Sequence, residues 1–178
     1  FVIGMLLFFP SPGWQGMVGF LVSAFVLCYV IGPVALISLR TIWPEQQRNF
    51  KLPLAHVWCF LAFYFSNLII YWTGWRIFKQ MLIAILIGLV LLLFSVVISR
   101  KSFDGVKFNI KEAIWVFGYL IGMGVITYLG VFSGGNNFLS FGWDAVVIAI
   151  FSALILFWAR ISILKGDDIP EVPDVGGE

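Results

Sequence analysis

Residues 17–53 have the sequence MVGFLVSAFVLCYVIGPVALISLRTIWPEQQRNFKLP, in which a long apolar run ends at Arg40 and a short polar connector follows. A helix that rises about 1.5 Å per residue crosses a hydrocarbon layer of about 30 Å in roughly 20 residues, and the run from 17 to 40 is long enough to do so. Its residues do not alternate between apolar and polar, as the strands of a membrane barrel would. The stretch therefore predicts a membrane-spanning helix that stops at a basic interface residue.

The composition of all 178 residues agrees with a membrane location. Hydrophobic residues make up 61% and charged residues 11%, whereas soluble proteins average about 45–50% and about 25%. A soluble chain of this length would need a charged surface that these residues cannot supply. The sequence predicts an integral membrane protein.

The same apolar pattern recurs along the chain and predicts an all-α protein. We expect full transmembrane helices over 17–40, 54–73, 78–99, 112–132 and 143–164. Before Pro10 the chain has only nine apolar residues, so we expect these to be the end of a truncated helix and the chain to be a fragment of a longer protein. The polar residues 166–178 are expected to form a disordered tail.

The basic residues predict the orientation of these helices, because loops rich in lysine and arginine stay on the cytoplasmic side. Arg76 and Lys79 are expected on the outer side. The other nine of the eleven basic residues fall in alternate connectors on the opposite side: Arg40, Arg48, Lys51, Arg100, Lys101, Lys107, Lys111, Arg160 and Lys165. We therefore expect the connector after Arg40 and the C-terminus to be cytoplasmic.

Several kinds of chemistry lack the residues they need. The sequence has no H-E-x-x-H, C-x-x-C, P-loop or G-x-S-x-G motif. Its one histidine and two separated cysteines do not predict a metal site. Because the basic residues lie in the connectors on one side, we expect contact with membrane lipids and no nucleic-acid partner. We predict no catalytic residues, no cofactor and no enzyme activity.

Inside the predicted spans, polar and small residues predict helix contacts. No ionisable residue lies at mid-depth in a span; Asp144 begins the last one, where a carboxylate suits the free amides of a helix start. Asn67 is the strongest hydrogen-bonding side chain within the spans and is the candidate for a bond between helices. Gly118 and Gly122 are four residues apart and would let a neighbouring helix approach closely, either within the chain or in a dimer.

Four short motifs resemble the ninth and tenth helices of amino acid permeases of the amino acid-polyamine-organocation (APC) superfamily. They are Trp14-Gln15, Gly32-Pro33, Leu39-Arg40 and the connector 48–53, in which Asn49 replaces the usual proline. Residues 62–75 resemble the family's eleventh helix. The resemblance covers roughly residues 1–100 and is nearest to bacterial proton-coupled permeases for aspartate and neutral amino acids.

The resemblance implies the C-terminal part of a LeuT-like inverted-repeat transporter in the bacterial cytoplasmic membrane. Residues 1–53 would complete the second repeat, 54–100 a peripheral helix pair, 101–165 an additional pair and 166–178 a cytoplasmic tail. Substrate and coupling ion would be held by helices outside this sequence. The implied function is secondary amino acid transport with proton coupling, and the carried amino acid and the oligomeric state stay open.

Gly32-Pro33 has two interpretations. Proline removes a backbone donor and clashes one turn back, so it predicts a kink near the inner half of its helix. The kink could be a fixed packing feature; the resemblance implies instead a hinge that flexes during alternating access. For the whole chain, the alternative to a transporter is a non-catalytic membrane subunit or assembly protein, and a membrane-embedded enzyme is least favoured.

Overall fold

The computed structural model describes residues 14–44, 52–98, 110–139 and 142–162. These residues form five helices and no strand, which confirms the all-α class. The helices are α1 (Trp14–Ile42), α2 (Ala55–Thr73), α3 (Trp75–Ile98), α4 (Ile110–Leu129) and α5 (Trp143–Ile161). Each matches one predicted full span to within a few residues at either end. The expected truncated helix and the expected C-terminal tail lie outside the described residues.

Four of the five helices are long and apolar enough to cross a membrane, namely α1, α2, α3 and α5. The exception is α4, whose apolar part, Ile114–Leu129, is shorter than the other spans. The reason is visible in its sequence, because Lys111 and Glu112 occupy the first turn of the helix. The chain is a multi-pass membrane protein with one shorter apolar helix within the bundle.

Helix α2 lies at the centre of the bundle and contacts each of the other four helices. Its side chains Phe63, Asn67, Ile70 and Tyr71 are all fully buried. Phe63, Ile70 and Tyr71 share one apolar core with buried residues of the neighbouring helices: Val30 and Val34 of α1, Phe78 and Met81 of α3, Met123 of α4, and Ile148 and Ile155 of α5. The buried residues of α2 therefore form the middle of the core that the other four helices surround.

Helices α2 and α3 are joined by one residue, Gly74, whose φ of 84° is a left-handed conformation that suits glycine. A Cβ at this position would also lie 3.0 Å from the backbone of Phe132. On the α3 side, the backbone amide of Arg76 donates to the carbonyl oxygen of Ser133 at 3.0 Å. The segment after α4 thus closes against the α2–α3 corner and fixes the ends of three helices together.

The bundle has a packed centre and open flanks. In the second half of α3, every residue from Leu86 to Phe94 is exposed, so this half-helix projects from its neighbours. Phe25 and Tyr29 likewise leave an open face on α1. Apolar side chains exposed in this way suit contact with lipid hydrocarbon.

Candidate functional site

A buried polar cluster joins three helices at the centre of the bundle. It consists of Asn67 on α2, Tyr119 on α4 and Ser152 on α5, and these residues are 0%, 2% and 0% exposed. The Tyr119 hydroxyl donates to Asn67 Oδ1 at 2.8 Å. Asn67 Nδ2 donates to Ser152 Oγ at 2.9 Å, and the Ser152 hydroxyl donates to the backbone oxygen of Ile148 at 2.7 Å. We call these three residues the Asn67 cluster.

The Asn67 cluster fits the apolar interior because its polar groups satisfy one another. The amide of Asn67 both accepts and donates, so one side chain links two helices that carry hydroxyls. In a membrane such a bond stabilises the folded state by about 0.6 kcal/mol on average, whereas a polar atom left without a partner there is costly. The cluster can therefore fix the register of α2, α4 and α5, but it has no titratable acid or base at neutral pH.

Gly118 and Gly122 form a second contact, which we call the glycine face of α4. A Cβ built at Gly118 would collide with the indole ring of Trp158, and one at Gly122 would collide with the ring of Phe151. Both aromatic residues lie on α5. The two notches, which are the spaces left by the missing side chains of Gly118 and Gly122, are therefore filled by another helix of the same chain. Gly124 lies near Phe78, Leu82 and Trp75 of α3, at ordinary contact distances.

One aromatic ring connects the glycine face to the Asn67 cluster. The Phe151 ring, which fills the notch at Gly122, also stacks on Tyr119 with ring centroids 6.1 Å apart and planes inclined by 22°. Phe63 of α2 meets Tyr119 from another direction, with centroids 5.8 Å apart. Moving Phe151 away from α4 would therefore disturb the tyrosine that donates to Asn67.

The predicted hinge residues have open surroundings. Helix α1 continues through Gly32 and Pro33 without a break. A Cβ at Gly32 would meet no described atom within 4 Å. Both residues line an apolar groove between α1 and α2 with a volume of about 380 Å³. Close packing therefore does not explain the glycine at this position.

A second polar feature lies where α5 begins. Asp144 is 4% exposed, and its Oδ1 accepts hydrogen bonds from the backbone amides of Gly142 at 2.9 Å and Ala145 at 2.8 Å. It thus satisfies amides that a helix start leaves without partners. The Tyr71 hydroxyl faces this carboxylate and the backbone of Val131, yet no described group meets hydrogen-bond geometry with it.

Sequence reasoning singled out Asn67 but did not identify Tyr119 and Ser152 as its partners. Both are polar residues within apolar spans, and this is the only feature of the sequence that could have identified them. Several other serines and tyrosines in the spans have the same feature. The sequence gives no signal that Tyr71 lies near Asp144, because 73 positions separate them. Within the described ranges, no group of three histidine, cysteine or acidic residues could hold a metal ion.

Two curated proteins of Bacillus subtilis (strain 168) are similar to this chain over most of its length. The glutamate/serine transporter AimA is 29% identical over 178 residues, which cover 99% of this chain and 33% of the transporter. An aspartate-proton symporter is 28% identical over 160 residues, which cover 90% of this chain and 31% of the symporter. No protein-family model and no solved structure matches.

The chain spans about one third of the length of the curated relatives it matches. Both relatives are amino acid transporters by name, which confirms the resemblance to amino acid permeases. The membrane-spanning helices, together with this likeness over nearly all residues of the chain, point to an amino acid permease.

Proposed function

We propose that this chain forms the C-terminal helices of a secondary transporter that carries amino acids across the cytoplasmic membrane. The observation that carries the proposal is the 29% identity over 178 residues to a glutamate/serine transporter. The helical bundle is compatible with it, because four described helices have the length and apolarity of membrane spans.

The described helices serve as a support in this proposal, and substrate contacts lie on other helices. A transport site needs polar or charged groups at mid-membrane depth. At the centre of this bundle, the side chains of the Asn67 cluster form hydrogen bonds with one another and with the protein backbone rather than with a substrate. Asp144 lies at a helix start rather than within a span. In this proposal, the cluster and the glycine face hold α2, α4 and α5 as a unit, while α1 moves at Gly32 and Pro33 during alternating access.

The same proposal assigns roles to the segments of the chain. Residues 1–53, with α1, complete the second inverted repeat, and 54–100, with α2 and α3, form a peripheral pair. Residues 101–165, with α4 and α5, add a further pair, and 166–178 form a cytoplasmic tail. The bonds from Asn67 to Tyr119 and Ser152 would join the last two pairs.

We also propose that the transport is coupled to protons. One relative is an aspartate-proton symporter by name. A symporter of this kind uses an inward proton gradient to accumulate its substrate, so uptake should rise when the outside is more acidic. Exchange of one amino acid for another would instead depend on an internal amino acid and not on the gradient.

The test is uptake of radiolabelled glutamate, serine and aspartate by vesicles that contain the full-length gene product. We expect accumulation of at least one of them when an inward proton gradient is imposed, and loss of accumulation when a protonophore collapses the gradient. Vesicles without the protein provide the background, and replacing sodium by choline separates the two coupling ions. Absence of uptake of all three substrates by correctly folded protein would contradict the proposal.

The proposed topology places the C-terminus and the connectors rich in basic residues on the cytoplasmic side. It can be checked with single cysteines in a background where Cys28 and Cys59 are replaced by alanine. A cysteine at Lys107 should resist a membrane-impermeant maleimide in intact cells, whereas one at Asn136 should react. The reverse pattern would overturn the orientation.

A further inference from the structure

The apolar groove beside Gly32 and Pro33 is open on the side that faces away from the bundle. Its walls come from one face of α1, from the residue Leu52 before α2, and from the first two turns of α2. The lining residues are Gly32, Pro33, Leu36, Leu52, Trp58, Cys59 and Ala62. Gly32, Leu36, Trp58 and Ala62 are exposed, so within the described part of the chain the groove is open from the side to a molecule in the surrounding membrane.

A cation lies beside this groove. Arg40 lies one turn after Leu36 on α1, and its Nη1 donates to the carbonyl oxygen of Leu52 at 3.4 Å. Its guanidinium also lies close enough to Cys59 to interact with the thiol electrostatically. Both Leu52 and Cys59 line the groove, so the charge of Arg40 lies next to it.

The guanidinium of Arg40 has an unused donor. Its Nε is buried and has no hydrogen-bond partner in the described part of the chain. The bond from Nη1 to Leu52 is long for a charged donor, since such bonds usually measure about 2.7–2.9 Å. The arginine can therefore donate to a stronger acceptor, and an anion that takes two parallel N–H donors fits a guanidinium best.

From this geometry we infer that the groove and Arg40 together form a binding site for an anionic phospholipid. An acyl chain would lie along Gly32, Leu36 and Ala62, and the phosphate would accept hydrogen bonds from Arg40. From Gly32 to Arg40 the helix rises about 12 Å, which fits a segment of one acyl chain. The volume of about 380 Å³ falls within the range of about 300–1,000 Å³ typical of ligand pockets.

Charge and polarity favour a lipid over other occupants. A free anion would bind Arg40 but gain nothing from the apolar lining, and a neutral lipid would fill the groove but offer no net negative charge to the guanidinium. A lipid with an anionic headgroup uses both parts, and basic residues at a membrane surface attract such headgroups. This inference does not depend on the proposed transport, because lipid binding can be measured without any substrate.

The experiment is native mass spectrometry of the full-length protein, released from nanodiscs that contain either dioleoylphosphatidylglycerol or dioleoylphosphatidylcholine. We expect retained phosphatidylglycerol in excess of phosphatidylcholine. Arg40→Gln should weaken phosphatidylglycerol binding about tenfold, as expected for loss of a charge-assisted hydrogen bond, and leave phosphatidylcholine unchanged. Ala62→Phe, which fills the groove and keeps Arg40, should lower retention of both lipids.

Two matched controls lie away from the groove. Arg76→Gln removes an exposed basic residue at the start of α3, and Ala153→Phe enlarges an exposed alanine of α5; both should bind lipid like the parent. The inference is overturned if Ala62→Phe retains as much phosphatidylglycerol as Ala153→Phe. It is also overturned if inorganic phosphate at millimolar concentration displaces the lipid, because the site would then recognise the anion alone.

Discussion

The centre of this bundle and its α1 flank both contain glycines within apolar helices, but the two regions use glycine in opposite ways. At Gly122 on α4 a methyl group would run into the Phe151 ring, whereas at Gly32 on α1 it would meet no described atom within 4 Å. The centre also has the Asn67 cluster, in which each side chain is hydrogen-bonded. The flank has Pro33, which cannot donate a backbone hydrogen bond.

The difference shows how a membrane protein can be rigid in one place and adaptable in another. Lipid hydrocarbon is as apolar as a leucine side chain, so burial alone does not hold helices together in a membrane. Close packing and hydrogen bonds between helices do so instead, and the side-chain hydrogen bonds of Asn67 join α2, α4 and α5. At Gly32 a Cβ would meet no described atom within 4 Å, so the side of α1 that carries this residue can change its shape at little cost to packing.

The largest effect is expected from removing the amide at the centre. In Asn67→Leu the Tyr119 hydroxyl loses its acceptor and Ser152 loses a donor. A buried polar group without a partner costs about 1–3 kcal/mol, so we expect the free energy of unfolding to fall by about 2 kcal/mol. Titration of the purified protein in mixed micelles with sodium dodecyl sulfate, followed by helical circular dichroism, measures this change.

The control is Ser95→Ala, because Ser95 lies exposed on α3 and its loss should change stability by less than about 0.5 kcal/mol. A double-mutant cycle that combines Asn67→Leu with Tyr119→Phe isolates the hydrogen bond itself. The two substitutions should cost less together than the sum of the single effects. Strict additivity would mean that the bond does not hold α2 against α4.

This cluster shows how far the sequence alone could predict the site. Apolar length predicted the helices to within a few residues, because crossing a membrane imposes one requirement on every span. Asn67 stood out for the same reason, since a strong hydrogen-bonding group in an apolar span needs a partner. Its partners on α4 and α5 could not be predicted, because which faces of two helices meet depends on the packing of the whole bundle.

The second prediction tests the glycine face and uses a matched pair of helical glycines. Gly122→Ala forces the Phe151 ring to move, whereas Gly88→Ala on α3 adds a methyl group with no described atom within 4 Å. Both variants gain about the same helix propensity, about 1 kcal/mol. Their difference therefore measures the steric cost, which we expect to be about 1–2 kcal/mol against Gly122→Ala in the same titration. Equal stabilities would show that α5 can move aside freely.

The third prediction concerns the flank and separates a hinge from a fixed kink. Gly32→Ala has room for its methyl group and should raise the free energy of unfolding by about 0.5–1 kcal/mol, since alanine is the better helix former. If α1 flexes here during transport, both Gly32→Ala and Pro33→Ala should lower the maximal rate of amino acid uptake more than they change the KM. Uptake rates equal to the parent in both variants would favour a fixed kink.

The smallest effect is expected at Tyr71, which sharpens the comparison because two buried tyrosines can be set side by side. Tyr119 is 2% exposed and donates to Asn67, whereas Tyr71 is 0% exposed and its hydroxyl has no hydrogen-bond partner among the described residues. Tyr119→Phe leaves Asn67 Oδ1 without its donor and should lower the free energy of unfolding by about 1 kcal/mol. Tyr71→Phe removes an unsatisfied group and keeps the ring against Phe132, so its effect should stay within about 0.5 kcal/mol. A loss from Tyr71→Phe as large as that from Tyr119→Phe would show that the Tyr71 hydroxyl bonds to Asp144 and links α2 to the start of α5.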